Sequence, residues 1–166
     1  MINQLSCFLK KNSGRNSSGK ITVRHRGGGH KRRYRIINYS HIFLNIPGLV
    51  YQVEYDPNRN CSIGLVLYKN GLLGYILGYQ NMKIGDLIND LNQFVVGSQL
   101  FLKDAPIGSL IHNVELIPGK GGQIARSGGS FCQVINKFVY GKSLILVKFK
   151  SCIILSVRFF EPIKPT

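Results

Sequence analysis

The sequence contains no tryptophan, only two alanines, and only seven acidic residues against 22 lysines and arginines. No apolar run approaches the ~20 residues that a membrane-spanning helix needs, and no basic amphipathic helix is present to bind a membrane surface. We therefore expect no membrane partner. The N-terminal segment has too short an apolar run for a secretory signal, and it is not Arg-rich as a transit peptide is.

Metal-binding and catalytic patterns are also lacking. The four cysteines are far apart and match neither a zinc knuckle nor a CxxC pair, so we expect small buried hydrophobes in a reducing compartment: Cys7, Cys61, Cys132 and Cys152. Gly141-Lys142-Ser143 resembles the end of a P-loop, but the loop's first glycine would fall at Asn136. His112 alternates with apolar residues and is predicted to be a partly buried barrel histidine. Because no catalytic set can be assembled, we predict a protein that is not an enzyme and has no cofactor or metal.

What the chain has instead is positive charge, +15 at pH 7 with a pI near 10, and this indicates a polyanionic partner. Ten of the 22 cations lie in Lys10–Arg35, and the first acidic residue of the chain is Glu54. Three glycines, Gly27–Gly29, lie in the middle of this stretch and permit close approach of the backbone to a partner. The stretch is typical of a segment that lies in an anionic groove, and we expect residues 1–30 to form an extended basic arm.

After the arm, short runs alternate at the period of a β-strand. In residues 50–55 the alternation places Tyr51, Val53 and Tyr55 on one face. DPNR at 56–59 predicts a turn, and residues 63–68 are apolar on both faces, which suits a strand in a barrel wall. Asn70-Gly71 is a strong hairpin signal, and the regular spacing predicts a small all-β barrel.

The second half of the chain is less uniform. Residues 84–97 carry a helical apolar stripe that Asp86 would cap, so the local pattern favours a short helix over a strand limited to 87–88. Residues 104–108 suggest a linker. Further strands are predicted at 110–117, 130–136, 143–149 and 153–160. Between the first two of these lies PGKGGQIARSGG, a second loop of glycines and cations suited to phosphates.

Four blocks of the sequence closely resemble the ribosomal protein L2 family of the large subunit: GRNSSGKITVRHRGGGHKRRYRIINY, VEYDPNR, IGLVLYKNG and PIGSLIHNVELIPGKGGQIARSGG. The resemblance spans Gly14 to about Gly129. It implies an all-β chain: a basic arm at 1–30, an OB-fold domain at 31–105 and an SH3-like barrel at 106–166. It also implies a brief strand and loop at 84–97, against the helical pattern, and we favour that alternative.

The resemblance further implies that the arm threads among rRNA helices and that Arg59 and Arg126 lie in loops that touch rRNA. Both arginines also stand in turns beside glycine or asparagine, where a guanidinium can reach a phosphate. The candidate rRNA-binding residues are Arg15, Asn16, Lys20, Arg24, His25, Arg26, Gly27, Gly28, Gly29, His30, Lys31, Arg32, Arg33, Arg35, Arg59, Lys120, Gly121, Gly122 and Arg126. The expected function is a structural constituent of the large ribosomal subunit, with large-subunit rRNA and neighbouring ribosomal proteins as partners. The alternative is a non-ribosomal RNA- or DNA-binding factor built on the same barrels.

The chain lacks the long glycine- and histidine-rich extension that follows the second barrel in the family. We therefore expect a split protein whose missing extension is supplied by a separate chain. The 19 isoleucines and 13 asparagines beside two alanines indicate an AT-rich gene. This composition favours the mitochondrial matrix, with an organelle-encoded chain, over the plastid.

Overall fold

A computed structural model describes residues 5–39, 46–88, 96–102, 104–117, 119–138, 144–149 and 154–158; from 137 onward only the strands are described, without their side chains. The chain divides into two compact units, an N-terminal unit at 1–36 and a C-terminal unit at 37–166. The described residues contain ten β-strands and no α-helix, which confirms the prediction of an all-β chain. Within this described part, no helix has the length and apolarity that crossing a membrane requires.

The N-terminal unit contains one two-stranded antiparallel sheet. Strand β1 (Ser6–Phe8) pairs with β2 (Arg33–Arg35), so that Cys7 lies opposite Tyr34. The chain between them closes on itself through turns, with an isolated bridge between Arg15 and Ile21. None of the described residues in this unit is buried, so backbone hydrogen bonds and turns, rather than an apolar core, set its shape.

The first sheet of the C-terminal unit has the strand order β5-β4-β3-β6 and curls into a half-barrel of the OB type. Its strands are β3 (Gly48–Glu54), β4 (Ile63–Tyr68), β5 (Leu73–Leu77) and β6 (Leu87–Ile88). Five of the six residues of β4 are buried, as its continuous apolar run predicts. The Asn70-Gly71 hairpin between β4 and β5 is confirmed: Gly71 has a φ of 79° and its N–H donates to the Tyr68 carbonyl at 2.8 Å.

Two details of this sheet differ from the sequence predictions. A β-bulge between Val50 and Gln52 interrupts the alternation of β3, so Tyr51 and Gln52 are both exposed while Val53 is half-buried. The predicted common face of 51, 53 and 55 is therefore wrong, because a bulge adds one residue to one strand only.

The helix that the local pattern favoured at 84–97 is also wrong over the part that is described. Residues 87–88 form β6 and pair with β3, as the family resemblance implies. The Gly85 N–H donates to the Val50 carbonyl at 2.9 Å, so this backbone bonds to a neighbouring strand rather than within a helix. Residues 89–95 lie outside the described part. Pairing with β3 buries Ile88 to 1% exposure, a contact that a local apolar stripe does not encode.

The second sheet has the order β10-β9-β8-β7, all antiparallel. Its strands are β7 (Leu110–Ile111), β8 (Cys132–Phe138), β9 (Leu144–Phe149) and β10 (Ile154–Arg158). The strand predicted at 110–117 is too long, because Asn113 takes a φ of 53° and the chain bends there. His112 is exposed, so the prediction of a partly buried histidine is wrong.

A compact apolar cluster lies beneath this sheet. Its buried members are Ala105, Val114, Ala125, Cys132 and Val134, so the segment suggested as a linker contributes a core residue. Burial raises the pKa of the Cys132 thiol. Cys132 thus fits the expected buried thiol, whereas Cys7 is exposed and Cys61 is half-buried.

Candidate nucleic-acid interface

The surface of the N-terminal unit is dense in positive charge. It holds ten of the chain's lysines and arginines and no carboxylate. Nine of the ten are exposed, and Arg35 on β2 is half-buried. The exposed cations are Lys10, Lys11, Arg15, Lys20, Arg24, Arg26, Lys31, Arg32 and Arg33. Such a surface attracts a polyanion over about 8–10 Å at physiological ionic strength.

The segment from Gly14 to Val23 is shaped by local hydrogen bonds. The Asn16 side-chain oxygen accepts from the Lys20 N–H at 2.9 Å and from the Ser18 hydroxyl at 2.8 Å. The Gly14 carbonyl accepts from the N–H of Val23 at 3.1 Å, and a Cβ at Gly14 would collide with the Val23 carbonyl. Asn16, a predicted rRNA ligand, therefore closes a turn with its side-chain oxygen, and the turn leaves Lys20 exposed.

The glycine run, Gly27–Gly29, is also shaped by hydrogen bonds within the N-terminal unit. Gly27, Gly28 and Gly29 have φ angles of 122°, 71° and 72°, a region that side chains rarely adopt. The Lys11 ammonium donates to the carbonyls of Gly28 at 3.1 Å and His30 at 2.9 Å. Lys11, which was not among the predicted site residues, thus holds the run in place by bonding two of its neighbouring carbonyls.

Next to the run, Lys31 lies against β1. The Lys31 ammonium lies 5.2 Å from the centre of the Phe8 ring, and the two side chains make a solvent-exposed cation–π contact. Arg33 on β2 lies opposite Phe8 in the strand register. The predicted residues Lys31 and Arg33 are therefore gathered beside one exposed aromatic ring.

In the C-terminal unit the DPNR turn is built around a buried carboxylate. Asp56 is 0% exposed; one of its oxygens accepts from the Asn58 N–H at 3.0 Å, and the other accepts from Arg59 Nε at 2.6 Å. Arg59 Nη1 donates to the Tyr39 hydroxyl at 2.6 Å. Burial by itself lowers the pKa of the Arg59 guanidinium, but its hydrogen bonds to Tyr39 and Asp56 more than offset this and leave that pKa above its ordinary value.

Arg126 lies on the other side of Tyr39. Its guanidinium carbon is 4.1 Å from the centre of the Tyr39 ring, and Nη1 donates to the Gly122 carbonyl at 3.1 Å. The Tyr39 carbonyl in turn accepts from the Gly122 N–H at 2.8 Å. Arg126 is exposed, whereas the Arg59 side chain is only 14% exposed. The structure thus brings the two predicted arginines to one tyrosine, but in different environments.

The glycine loop before Arg126 is held in shape by hydrogen bonds within the protein. The two oxygens of Glu115 accept from the N–H groups of Gly119 and Gly121, at 3.0 Å each. Gly122 is packed so closely that a Cβ there would overlap the Asn113 side chain. The amides of Gly121 and Gly122, which were predicted to approach phosphates, are therefore paired inside the protein. Lys120 remains exposed on this loop.

The residues that sequence reasoning missed are supporting residues: Lys11, Tyr39, Asp56 and Glu115. Asp56 was recognised only as a turn former, and the Asx turn that it makes to Asn58 is the signal that could have identified its role. Tyr39 carries no local signal, since its partners Arg59, Gly122 and Arg126 lie in other loops. Glu115 bonds to glycines of its own loop, a contact that the glycine-rich pattern alone did not indicate. Among the described residues, no three of histidine, cysteine, aspartate and glutamate are grouped to hold a metal.

Two family models match the chain. Ribosomal Proteins L2, RNA binding N-terminal domain, covers residues 2–89, and Ribosomal Proteins L2, C-terminal domain, covers residues 95–158.

Curated relatives agree with these matches. The chain is 50% identical over 129 residues to large ribosomal subunit protein uL2 of Buchnera aphidicola subsp. Cinara cedri, an alignment covering 76% of this chain and 47% of the relative. It is 46% identical over 139 residues to large ribosomal subunit protein uL2m of Reclinomonas americana, covering 82% and 50%. The chain spans about half the length of the curated relatives it matches. Because the first family model alone covers more than half of the sequence, the chain belongs to the ribosomal protein L2 family.

Proposed function

We propose that this chain is a structural constituent of the large ribosomal subunit that binds and stabilises large-subunit rRNA. The observation that carries the proposal is the N-terminal unit, with ten cations, no carboxylate and no buried side chain among its described residues. Such a segment has little apolar burial to offset the entropy of ordering it. A polyanion supplies that stabilisation by releasing counterions as phosphates are neutralised.

Family membership favours the ribosomal role over a non-ribosomal nucleic-acid-binding factor. The relatives are named as large ribosomal subunit proteins, and the first matching family model is described as RNA-binding. This role is structural: the cations bind phosphate, the backbone turns position them, and we assign no catalytic step. Neighbouring ribosomal proteins are the further partners that the role implies.

Salt dependence of rRNA binding tests the proposal. The logarithm of the affinity of the full chain for a transcript of large-subunit rRNA should fall linearly with the logarithm of the salt concentration. The slope should be ~0.7–0.9 per phosphate contacted. Changing Lys31, Arg32 and Arg33 together to alanine should make that slope shallower by about two to three units.

The matched control removes two exposed cations of the C-terminal unit, Lys69→Ala and Lys83→Ala, and should leave the slope close to that of the unmodified chain. An unchanged slope in the triple variant would place the main footprint elsewhere, most plainly on the loop that carries Lys120 and Arg126. Equal affinity for a small-subunit rRNA transcript would contradict the ribosomal assignment in favour of the non-ribosomal one.

We further propose that the ribosome in question is mitochondrial. The AT-rich composition supports this, and a mitochondrial relative is among those that the chain matches. Mass spectrometry of large subunits purified from mitochondria should detect this chain. Its absence from those subunits would contradict the proposal.

A further inference from the structure

The two-stranded sheet of the N-terminal unit has one face that combines cations with an aromatic ring. Because successive residues of a strand point to opposite faces, Arg33 and Arg35 of β2 lie on one face and Tyr34 on the other. Directly opposite residues of an antiparallel pair share a face, and Phe8 of β1 lies opposite Arg33. The Lys31 ammonium lies 5.2 Å from the centre of the same ring. Phe8 therefore lies among three cations.

The Phe8 ring is open to a ligand. The residue is 65% exposed, and none of the described residues of this unit is buried, so the ring is not the margin of an apolar core. Pairing of Phe8 with Arg33 holds its backbone in a strand, and a group that is already held in place loses less freedom on binding. One exposed apolar residue is ordinary on a protein surface; what distinguishes Phe8 is the cluster of cations around it.

The charge of the unit selects the kind of ligand that this ring would meet. Ten cations and no carboxylate attract an anion. In single-stranded RNA, cations can bind the phosphates while unpaired bases stack on aromatic side chains. In a duplex the bases are already stacked and paired with one another, so their faces are not available to the ring. An aromatic ring among cations thus fits an unpaired nucleotide.

We propose that the Phe8 ring stacks on an unpaired base of large-subunit rRNA and that Lys31 binds a phosphate of the same strand. The proposal rests on the proposed rRNA-binding function and adds to it a contact with a base, which charge alone does not provide. Lys31 lies at the ring, so its charge is next to the stacking site. The two contacts differ in an observable, because only the phosphate contact releases counterions and contributes to the salt dependence.

The first test measures the affinity of the full chain for a large-subunit rRNA transcript over a range of KCl concentrations. Phe8→Leu keeps an apolar side chain but removes the aromatic face, so it should lower affinity roughly tenfold and leave the salt slope unchanged. Lys31→Ala should make the slope shallower by ~0.7–0.9.

Each of these variants can overturn its part of the proposal. Unchanged affinity of Phe8→Leu would overturn the stacking contact. A shallower slope in Phe8→Leu would show that the ring only positions Lys31, and it would overturn the base in favour of a phosphate contact alone. An unchanged slope in Lys31→Ala would overturn the phosphate contact of Lys31.

The second test uses the absence of tryptophan from the chain. Phe8→Trp introduces a single indole at the ring position, and stacking on a base should quench its fluorescence when the transcript is added. A fully paired RNA duplex of the same length should quench it much less. The matched control is Ile21→Trp, at a position that is 61% exposed in the same unit but lies outside β1 and β2; its quenching should be weak.

Binding of Phe8→Trp without quenching, or equal quenching in the two tryptophan variants, would overturn stacking at this position. Equal quenching by the duplex would overturn the requirement for an unpaired base. The proposed function fails separately, through equal binding of the unmodified chain to small-subunit rRNA.

Discussion

The N-terminal unit and the C-terminal unit are held together by different means. In the first, none of the described residues is buried, and turns are closed by single polar side chains such as Asn16 and Lys11. In the second, residues of β3 and β4 such as Val50 and Val66 are 0% exposed and pack in a shared apolar cluster.

This difference separates apolar stabilisation from exposed charge. Apolar burial contributes roughly 25 cal/mol per Å², and it stabilises the C-terminal unit. The N-terminal unit lacks that contribution but carries a charge of +10 from ten cations and no carboxylate. Its charged side chains are exposed because almost none of its surface is used to build a core.

The largest effect should come from the buried carboxylate of the C-terminal unit. Asp56→Ala removes the partner of the mostly buried Arg59 and should lower the free energy of unfolding by about 3–5 kcal/mol. Urea unfolding followed by tyrosine fluorescence measures it. The exposed Asp104→Ala is the matched control and should cost less than about 0.5 kcal/mol. Similar losses for both variants would mean that Asp56 contributes no more than a surface charge.

A pair of identical substitutions compares the two units directly. Ile63 is 0% exposed in β4, whereas Ile21 is 61% exposed in the N-terminal unit. Ile63→Ala should cost about 3 kcal/mol in the same urea experiment, because it removes buried methyl groups and leaves a cavity. Ile21→Ala should change it by less than about 0.5 kcal/mol. A large loss from Ile21→Ala would show that the N-terminal unit has apolar packing after all.

The smallest expected effect is the pH dependence of the stability that the Asp86 carboxylate contributes. The Asp86 carboxylate accepts from the Lys83 N–H and from the Tyr79 hydroxyl, each at 2.8 Å, and these bonds lower its pKa. A carboxyl with a lowered folded pKa stabilises the fold above its unfolded pKa, and this contribution is lost as pH falls through the folded value.

Asp86→Asn should therefore destabilise the protein at pH 7, and the loss should be smaller at pH 2, because the Asp86 carboxyl loses its charge as the pH falls. Urea midpoints at the two pH values measure this, with Asp104→Asn as the control. The N-terminal unit has no carboxylate, so acid should not act on it in this way. An equal effect of Asp86→Asn at both pH values would contradict the role of its charge.

The elements that the sequence predicts correctly are those encoded within a few residues. The Asn70-Gly71 hairpin, the turn at 56–59 and the buried strand β4 all follow from neighbouring side chains and backbone freedom. The bulge in β3 was missed, and the local pattern alone did not indicate strand β6, which the family resemblance implied, because both features depend on pairing with another strand. A helix over 84–88 and a strand paired with β3 would bury overlapping sets of apolar residues. Only the paired strand also gives backbone N–H and C=O groups of β3 their hydrogen-bond partners.

By itself, the sequence determined where the charge lies and that the chain is all-β, because charge and hydrophobic period are properties of residue types in order. Only the tertiary structure decided which cations are exposed and which are paired inside the protein. Arg59 and Arg126 stand in similar glycine- and asparagine-rich turns, yet one is neutralised by the buried Asp56 and the other lies exposed on the Tyr39 ring. Asp56 lies in the same turn as Arg59, but Tyr39, which contacts both arginines, lies 20 residues from Arg59 along the chain and farther still from Arg126. These contacts exist only after the loops are folded together.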